Sequence, residues 1–256
     1  MNLYDAMFVR RSVKSFRMEA VDDTILNSIP AFLEEIVPLF PEIRTEVVIY
    51  ESIKKKEKFS GFSNISAPYY AAVFAEQKEK SDMNAGYIMQ QLSLYLTTKG
   101  LGSCFMGTVR KKDKKMEEAG MHCVIVLAFG LGKGPVIRHD YEAKRLSMEE
   151  LCVYKEKPKA WVKELLEVAR LAPSSFNSQP WRFVAYENRI HVFSKKPVVS
   201  HSAFGKFNEF NFGIMFANVL IAAEEIWVDV DLIKLENINH KSIPNNQYVL
   251  SILPKS

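Results

Sequence analysis

The sequence lacks the residue patterns by which many enzymes and metal proteins are recognised. Its three cysteines, Cys104, Cys123 and Cys152, form no CxxC pair, and an odd, sparse set favours a reducing compartment over a disulfide framework. The histidines are scattered, without an HxH or HExxH pattern, so no metal site is predicted. Cys104 is interpreted as a buried structural thiol because no histidine partner is indicated for it. We therefore name no catalytic residue.

Long apolar runs are also missing. The longest uncharged runs, residues 83–98 and 210–223, contain Asn, Gln or Gly and are shorter than the roughly 20 residues that span a bilayer. We interpret them as buried helices. The first residues, MNLYDAMFVRRS, contain no apolar core of a signal peptide. These features predict a cytoplasmic protein with no membrane contact.

The charge pattern gives no sign of a nucleic-acid partner. The formal net charge is +4, and lysine runs at residues 54–58 and 110–115 are each interrupted by an acid. Such runs are typical of solvated surface, whereas nucleic-acid binding needs a coherent basic face. With 256 residues, of which 48% are hydrophobic, the chain can form a core without metal or disulfide.

A repeated order of elements divides the chain into two halves, residues 1–155 and 156–256. Helix, strand, strand, buried helix and strand occur in that order twice, which predicts an internal duplication. Three pairs of segments, separated by about 125 to 135 residues, resemble each other. The pairs are VVIYE and FVAYE (47–51, 183–187), GYIMQQL and GIMFANV (86–92, 213–219), and VIVLAFG and YVLSILP (124–130, 248–254).

The pattern also predicts the individual elements. Helices are predicted at residues 3–11, 83–99, 110–120, 159–172 and 210–228, and another begins near residue 21 and is interrupted by Pro30. Strands are predicted at residues 45–52, 67–76, 122–130, 181–187, 189–194 and 247–253.

The first candidate binding motif is RRSVKS, directly after the first helix. Arg10, Arg11, Ser12 and Lys14 place three cations and a hydroxyl within five residues. Arginine forks and lysine charges suit a phosphate. The same residues are also compatible with an ordinary charged helix end, where basic side chains complement the helix dipole.

The second candidate motif is the loop PSSFNSQP, which is rich in hydroxyls and carboxamides but uncharged. Ser174, Ser175, Asn177, Ser178 and Gln179 lie between two prolines. Such groups both donate and accept hydrogen bonds, which suits the edge of a neutral heterocycle. The alternative is a polar loop after a helix, although a turn needs only one or two such residues.

The glycine-rich stretch GLGSCFMGT, residues 100–108, has two interpretations. Glycine allows backbone amides to approach a ligand closely, but a helix cap followed by a turn needs the same residues. The stretch lacks the lysine of a Walker loop, and GLGKG at residues 130–134 is followed by proline rather than a helix, so neither indicates a common nucleotide fingerprint.

Together the motifs resemble the FMN-dependent nitroreductase superfamily, and in particular its duplicated single-chain subgroup. The matching segments are RRSVKSF, the buried helix entering GLGSCFMG, VIVLAFG, KRLSMEELC and APSSFNSQPWRF. An ordinary member has the RRS motif and the PSS loop in one subunit, and its FMN lies between two subunits of a homodimer. Here the first half has only the RRS motif and the second only the PSS loop.

The resemblance implies an α+β fold in which two related halves pack as a pseudo-dimer, a monomer that mimics the family homodimer and binds one FMN. It implies that Arg10, Arg11, Ser12 and Lys14 hold the phosphate and ribityl chain, with Lys144 or Arg145 adding charge. Pro173, Ser174, Ser175, Asn177 and Gln179 would face the isoalloxazine ring, and Met106, Gly107 and Thr108 its reactive edge.

The implied activity is redox transfer. NADH or NADPH would reduce FMN, and a small electron-poor acceptor such as a nitroaromatic or quinone would then be reduced. A flavin store or sensor with little turnover, or another flavin reaction on the same scaffold, remains open because one fold supports varied chemistry. His201 and residues 204–210 are compatible either with a lid over the flavin or with an ordinary loop.

Overall fold

The computed structural model describes residues 1–195, 207–238 and 246–255. Two compact units divide the chain, Met1–Glu142 and Ala143–Ser256. His201 and residues 204–206 of the suggested lid lie outside the described residues. That the two halves pair as a pseudo-dimer stays a prediction.

The first unit combines four helices with an antiparallel sheet of four strands in its described residues. Its strands follow the order β1-β2-β4-β3. The elements are α1 (Leu3–Val9), α2 (Asp23–Glu35), β1 (Thr45–Glu51), β2 (Tyr69–Glu76), α3 (Ser81–Thr98), β3 (Gly102–Met106), α4 (Lys114–Glu118) and β4 (Met121–Gly130).

The core of the first unit lies where α3 packs on the sheet. Strands β2 and β4 are buried along most of their length, and α3 is buried on nearly every side. This explains why α3 reads as continuously apolar rather than amphipathic, since a helix that is apolar all round is normally a buried one. It contacts β2, β3 and β4.

The second unit has a sheet of five strands in its described residues, with the order β5-β6-β7-β9-β8. The short β5 runs parallel to β6, and the other pairs are antiparallel. The elements are α5 (Met148–Leu151), β5 (Cys152–Tyr154), α6 (Ala160–Leu171), β6 (Trp181–Ala185), β7 (Ile190–Lys195), α7 (Asn208–Glu225), β8 (Val230–Ile233) and β9 (Asn246–Pro254).

The two units share one topology once β5 is set aside. In each unit, two consecutive strands are followed along the chain by an 18-residue buried helix and then by two further strands. Within each sheet these four strands lie side by side in the order first, second, fourth, third. Each last strand also carries an unpaired extra residue opposite its neighbour, Val124 in β4 and Val249 in β9. Bulges are specific features of a fold, so the two sheets are alike in this detail as well as in strand order. That the halves arose by duplication stays a prediction.

Three sequence-based expectations were wrong in detail. Residues 102–106 of the glycine-rich stretch form β3, a strand rather than a loop, because they pair with β4. The charged helix predicted at 110–120 is only the short α4. Pro30 does not interrupt α2, which continues to Glu35. Pro30 lies on the exposed face, where water can satisfy the carbonyl that loses its partner.

The mixed α and β architecture and the dominance of antiparallel pairing agree with the predicted fold class. Within the described residues, no helix is long and apolar enough to cross a membrane. The same residues contain no group of three or more His, Cys, Asp or Glu side chains able to hold a metal ion.

Candidate functional site

The RRS motif lies in an extended segment that presents its polar residues to solvent. Arg11, Ser12 and Lys14 are exposed, whereas Val13 and Phe16 are 6% and 3% exposed and belong to the core. Because the two apolar residues are anchored in the core, the cations and the hydroxyl lie on the outer side of the segment. Because α1 ends at Val9 and Arg10 is its C-cap, the motif directly follows the helix end, and its exposed cations are accessible to an anion.

The segment is held against β3. The backbone N–H of Val13 donates to the carbonyl of Ser103 at 3.0 Å, and Ser12 forms a parallel bridge with Ser103. A Cβ atom at Gly102 would lie 2.6 Å from Val13 Cγ2. Glycine at this position therefore allows the close approach of the motif to the strand.

Arg10 differs from its neighbours because it is buried, with only 5% of its surface exposed. Its Nη1 donates to Ser93 Oγ at 3.5 Å, and Ser93 Oγ lies 2.9 Å from Ser103 Oγ. Arg138 holds the same stretch by donating from Nε to the Arg10 carbonyl at 2.9 Å. Arg10 is thus anchored in the interior at the start of the motif.

Cys104 lies in β3 close to these cations, and its thiol is buried. Burial raises the pKa of the Cys104 thiol, and the positive charges of Arg10 and Lys14 oppose this only in part. A buried thiol with a raised pKa stays protonated at neutral pH and is a poor nucleophile. The interpretation of Cys104 as a structural thiol agrees with this environment.

A tight turn follows β3 and contains the residues predicted to lie near the reactive edge of a flavin. Met106 is buried, Gly107 half-buried and Thr108 exposed. Thr108 Oγ1 donates to the carbonyl of Phe62 at 2.7 Å, and Arg110 Nη1 donates to the carbonyl of Gly107 at 2.7 Å. The turn is therefore fixed from both sides by the first unit itself.

The PSS loop of the second unit has an unusual backbone. Phe176, Asn177 and Gln179 have positive φ values of 55°, 54° and 44°. Asparagine tolerates this left-handed region, but phenylalanine and glutamine rarely adopt it. Such conformations persist only where surrounding contacts enforce them, and they cluster at binding sites.

Gln179 supplies one set of enforcing contacts. It is 3% exposed, its Oε1 accepts from the N–H of Leu146 at 2.8 Å and its Nε2 donates to the carbonyl of Asn177 at 3.3 Å. Its own N–H donates to Ser174 Oγ at 2.9 Å. The side chain of Gln179 therefore forms its hydrogen bonds within the loop and with the segment beside it.

The second basic pair, Lys144 and Arg145, lies against this loop. Arg145 donates from Nε and Nη2 to the carbonyl of Leu171, at 3.3 and 3.1 Å, and from Nη1 to Asn177 Oδ1 at 3.0 Å. Asn177 Nδ2 in turn donates to the carbonyl of Lys144 at 2.9 Å. Two groups of predicted residues that are about 30 positions apart in sequence thus form one cluster. Lys144 itself is exposed.

Several buried polar groups in and beside the loop have no hydrogen-bond partner among the described residues. They are Ser178 Oγ, Trp181 Nε1 and Asn211 Nδ2. Buried polar atoms are normally paired, and each exception requires an explanation such as a ligand or strain. Pro173, Ser174 and Ser175 are half-buried at the start of the same loop.

Three residues that contact these segments were not predicted as site residues. Ser93 and Arg138 hold the RRS motif, and Asn211 accepts from the N–H of Ser175 at 3.0 Å. Asn211 could have been found from sequence, since asparagine within an otherwise apolar helix needs a hydrogen-bond partner. Arg138 gives no such signal because its segment has no regular pattern.

Comparison with known proteins identifies the fold. A family model described as "Putative TM nitroreductase" matches residues 2–223. A solved structure of a "putative nitroreductase" from Thermotoga maritima superposes with a TM-score of 0.67, covering 99% of this chain and 93% of that chain at 19% identity. An FMN-dependent nitroreductase from Clostridium difficile R20291 covers 57% of this chain and 99% of its own, at 15% identity and a TM-score of 0.40.

Curated relatives match a short part of the chain. An oxygen-insensitive NADPH nitroreductase from Helicobacter pylori J99 is 44% identical over 45 residues, which are 18% of this chain. The protein of that name from Helicobacter acinonychis has the same identity over the same length. The chain matches only 20% of the length of each relative.

Proposed function

Because this chain belongs to the nitroreductase family whose model covers residues 2–223, as its motifs predicted, we propose that it is an FMN-dependent oxidoreductase. Bound FMN would supply two-electron chemistry that links the oxidation of NADH or NADPH to the reduction of a nitroaromatic, a quinone or a similar electron-poor acceptor. The protein's own residues bind and orient the cofactor, and no side chain is assigned as acid or base.

The observation that carries this proposal is the strained PSS loop, which is held in place by side-chain hydrogen bonds. Phe176, Asn177 and Gln179 keep left-handed backbones, each costing about 1–3 kcal/mol. The internal bonds of Gln179 and Arg145 hold the loop rigid before any ligand binds. A preorganised loop loses little entropy on binding. Most of its side-chain amides and hydroxyls hold the loop itself, whereas Ser178 Oγ has no partner among the described residues and can bond a donor or acceptor of a flavin ring.

The exposed cations of the first unit fit the other end of FMN. Arg11, Ser12 and Lys14 are solvent-accessible along one extended segment, and a dianionic phosphate is well matched by a guanidinium, an ammonium and a hydroxyl. Arg10 completes the predicted set from the interior, where its charge adds to the positive potential. Lys144 or Arg145 remains predicted to add charge at the phosphate.

The turn after β3 is proposed to contact the reactive edge of the ring through its backbone. Gly107 and Thr108 are fixed by the bonds that involve Arg110 and Phe62, and Met106 by its pairing with Val126 at the end of β3. A backbone N–H held in place can stabilise negative charge on a reduced ligand without reorganisation, as in an oxyanion hole. This role needs no particular side chain, in agreement with the mixed character of the three residues.

The stoichiometry is a separate part of the proposal. The cationic segment lies in the first unit and the polar loop in the second, and each occurs once in the chain. We propose that both contribute to the same cofactor, so that one FMN binds per chain. Losing either set would then weaken the same binding event.

The first experiment is an FMN titration of the purified protein, followed by visible spectroscopy during addition of NADH or NADPH. We expect binding at micromolar FMN with one site per chain, bleaching of the flavin absorbance within seconds, and reoxidation by a quinone or nitroaromatic under anaerobic conditions. Absence of FMN binding would overturn the proposal. Binding without reduction by either nicotinamide would leave a flavin store or sensor and remove the enzymatic part.

Variants in each unit test the shared contribution. Lys14→Ala should raise the FMN dissociation constant about 10- to 100-fold, because charge-assisted hydrogen bonds contribute about 1.5–3 kcal/mol. Asn177→Ala should raise it about 2- to 10-fold, because neutral hydrogen bonds contribute about 0.5–1.5 kcal/mol. Lys55→Ala, which removes an equally exposed cation from the lysine run, is the matched control and should leave the constant unchanged. If only one of the two site variants weakened binding, the shared contribution would be wrong.

A further inference from the structure

Two asparagines occupy matching positions in the buried helices of the two units. Asn84 is the fourth residue of α3 and Asn211 the fourth residue of α7, and each helix has 18 residues. Both side chains are completely buried. A buried carboxamide must find hydrogen-bond partners, so the contacts of each asparagine show what it holds in place.

In the first unit, Asn84 holds the segment that leads into β1. Its Oδ1 accepts from the N–H of Phe40 at 3.1 Å. Its Nδ2 donates to Thr45 Oγ1 at 3.0 Å and lies 3.4 and 3.5 Å from the carbonyls of Phe40 and Ile43. Both ends of this carboxamide are therefore used on the connection between α2 and β1.

In the second unit, Asn211 holds the corresponding connection, between α6 and β6, and this connection is the PSS loop. Its Oδ1 accepts from the N–H of Ser175 at 3.0 Å and from Ser175 Oγ at 3.3 Å. A backbone N–H can only donate, so the oxygen of Asn211 must face Ser175. Its Nδ2 donates to none of the described residues.

We propose that Asn211 is a positioning residue for flavin binding. It anchors Ser175, the residue immediately before the left-handed Phe176 and Asn177, and so holds the loop in the conformation that presents its polar groups. A backbone in this region relaxes when its anchors are removed. This inference rests on the proposed FMN function, but its first consequence, the anchoring of the loop, does not depend on FMN.

Hydrogen exchange measured by mass spectrometry without FMN tests the anchoring. Asn211→Leu removes the acceptor while keeping the branched shape of the side chain, and it should speed exchange in peptides covering residues 173–180 about tenfold, the size expected for the loss of one hydrogen bond. Asn84→Leu is the matched control and should speed exchange in residues 38–45 instead. Unchanged exchange at 173–180 in Asn211→Leu would overturn the proposal.

FMN titration of the same two variants tests the consequence for binding. We expect Asn211→Leu to raise the dissociation constant about tenfold or more and Asn84→Leu to leave it within about twofold of wild type. Equal effects of the two variants, or no effect of Asn211→Leu, would overturn the positioning role. If the wild-type protein bound no FMN, the proposed function would fail, and the positioning role with it, while the exchange data would still establish whether Asn211 anchors the loop.

A milder variant covers the case in which Asn211→Leu does not fold. Ser175→Ala removes only the bond from Oγ and keeps the bond from the N–H. We expect it to weaken FMN binding less than Asn211→Leu does, by about two- to fivefold, with the same melting temperature as wild type. An Asn211→Asp variant, which keeps an oxygen facing Ser175, should restore slow exchange at residues 173–180. Failure of that rescue in a folded protein would contradict the acceptor role.

Discussion

The two candidate binding segments are held in place in different ways and expose different groups. In the first unit, the RRS motif is an extended strand-like segment whose cations are left exposed while Val13 and Phe16 anchor it in the core. In the second, the PSS loop is fixed by hydrogen bonds of its own Gln179, which is almost completely buried, and of Arg145 and Asn211 outside the loop. A charged ligand group needs accessible charge, whereas a planar neutral ring needs a rigid edge of donors and acceptors.

The two units nevertheless share one structural feature, an arginine at a helix end. Each has an arginine that donates to carbonyls near the end of the helix preceding the candidate segment. Arg138 donates to Met7 and Arg10, and Arg145 donates to Leu171 and to Asn177. The final carbonyls of a helix have no partner within it, and a guanidinium fork can satisfy them while it holds the next residues.

The start of the first strand shows where the units differ most. In the repeat alignment, Thr45 of β1 corresponds to Trp181 of β6. Thr45 is held by hydrogen bonds to Ile43 and Asn84, whereas Trp181 is completely buried and its Nε1 has no partner among the described residues. One unit thus secures the strand by polar contacts and the other by apolar packing.

The largest expected effect tests this difference. Trp181→Ala should lower the free energy of unfolding by about 3–5 kcal/mol, because it leaves a large cavity in the core. Thr45→Ala should cost only about 1 kcal/mol, since it removes two hydrogen bonds near the sheet edge. Chemical denaturation measures both.

Trp181→Phe keeps most of the packing and removes an unpaired N–H, so we expect a loss below about 1.5 kcal/mol. A loss as large as that of Trp181→Ala would mean that Nε1 has a partner.

The next effect concerns the two arginines. Arg145→Lys and Arg138→Lys keep the charge but cannot reproduce the fork, so each should lower the free energy of unfolding by about 1–2 kcal/mol. Thermal denaturation at low and high salt measures the loss and separates geometry from charge. If the lysine variants were as stable as wild type, charge alone would be sufficient. If only one variant were destabilised, the two arginines would not be equivalent.

The sequence predicted the long apolar elements and the fold class. The buried helices α3 and α7 and the strands β4 and β9 were each located to within about three residues. Strands β3, β5 and β8 were not predicted. Strand β3 depends on tertiary contacts, because Gly102 and Ser103 are stabilised by pairing with β4 and by the approach of Val13. Strand formation by such residues depends on neighbours distant in sequence.

For the candidate site, the sequence predicted a set of residues but not how their hydrogen bonds are used. The composition of the PSS loop predicts an edge of polar groups, yet Gln179 is directed at Leu146 and the loop itself. Arg145 reaches Asn177 across a separation that no local pattern encodes. Their partners follow from the path of the chain in three dimensions, which depends on packing of the whole unit.

The connection between the first two strands also differs between the units. Residues 52–68 form a long connection in the first unit, whereas residues 186–189 join β6 to β7 by a short turn. Beside the long connection, Tyr50 of β1 donates from its hydroxyl to Asp113 Oδ2 at 2.5 Å. Asp113 also caps α4. The bond from Tyr50 lowers the pKa of Asp113, and burial together with Asp113 raises the pKa of Tyr50.

The smallest predicted effect is therefore pH-dependent. Tyr50→Phe should cost at most about 1 kcal/mol at pH 7, since solvent screens the bond to Asp113. The pKa of Asp113 is lower in the folded state than the usual value of about 3.9, so its stabilisation is present above about pH 4 and is lost as pH falls through the folded pKa. Denaturation at several pH values should show the difference from wild type shrinking below pH 4. Tyr95→Phe, which breaks a bond to the neutral Ser28 hydroxyl, should show a constant difference; parallel behaviour of the two variants would mean that Asp113 is not the source.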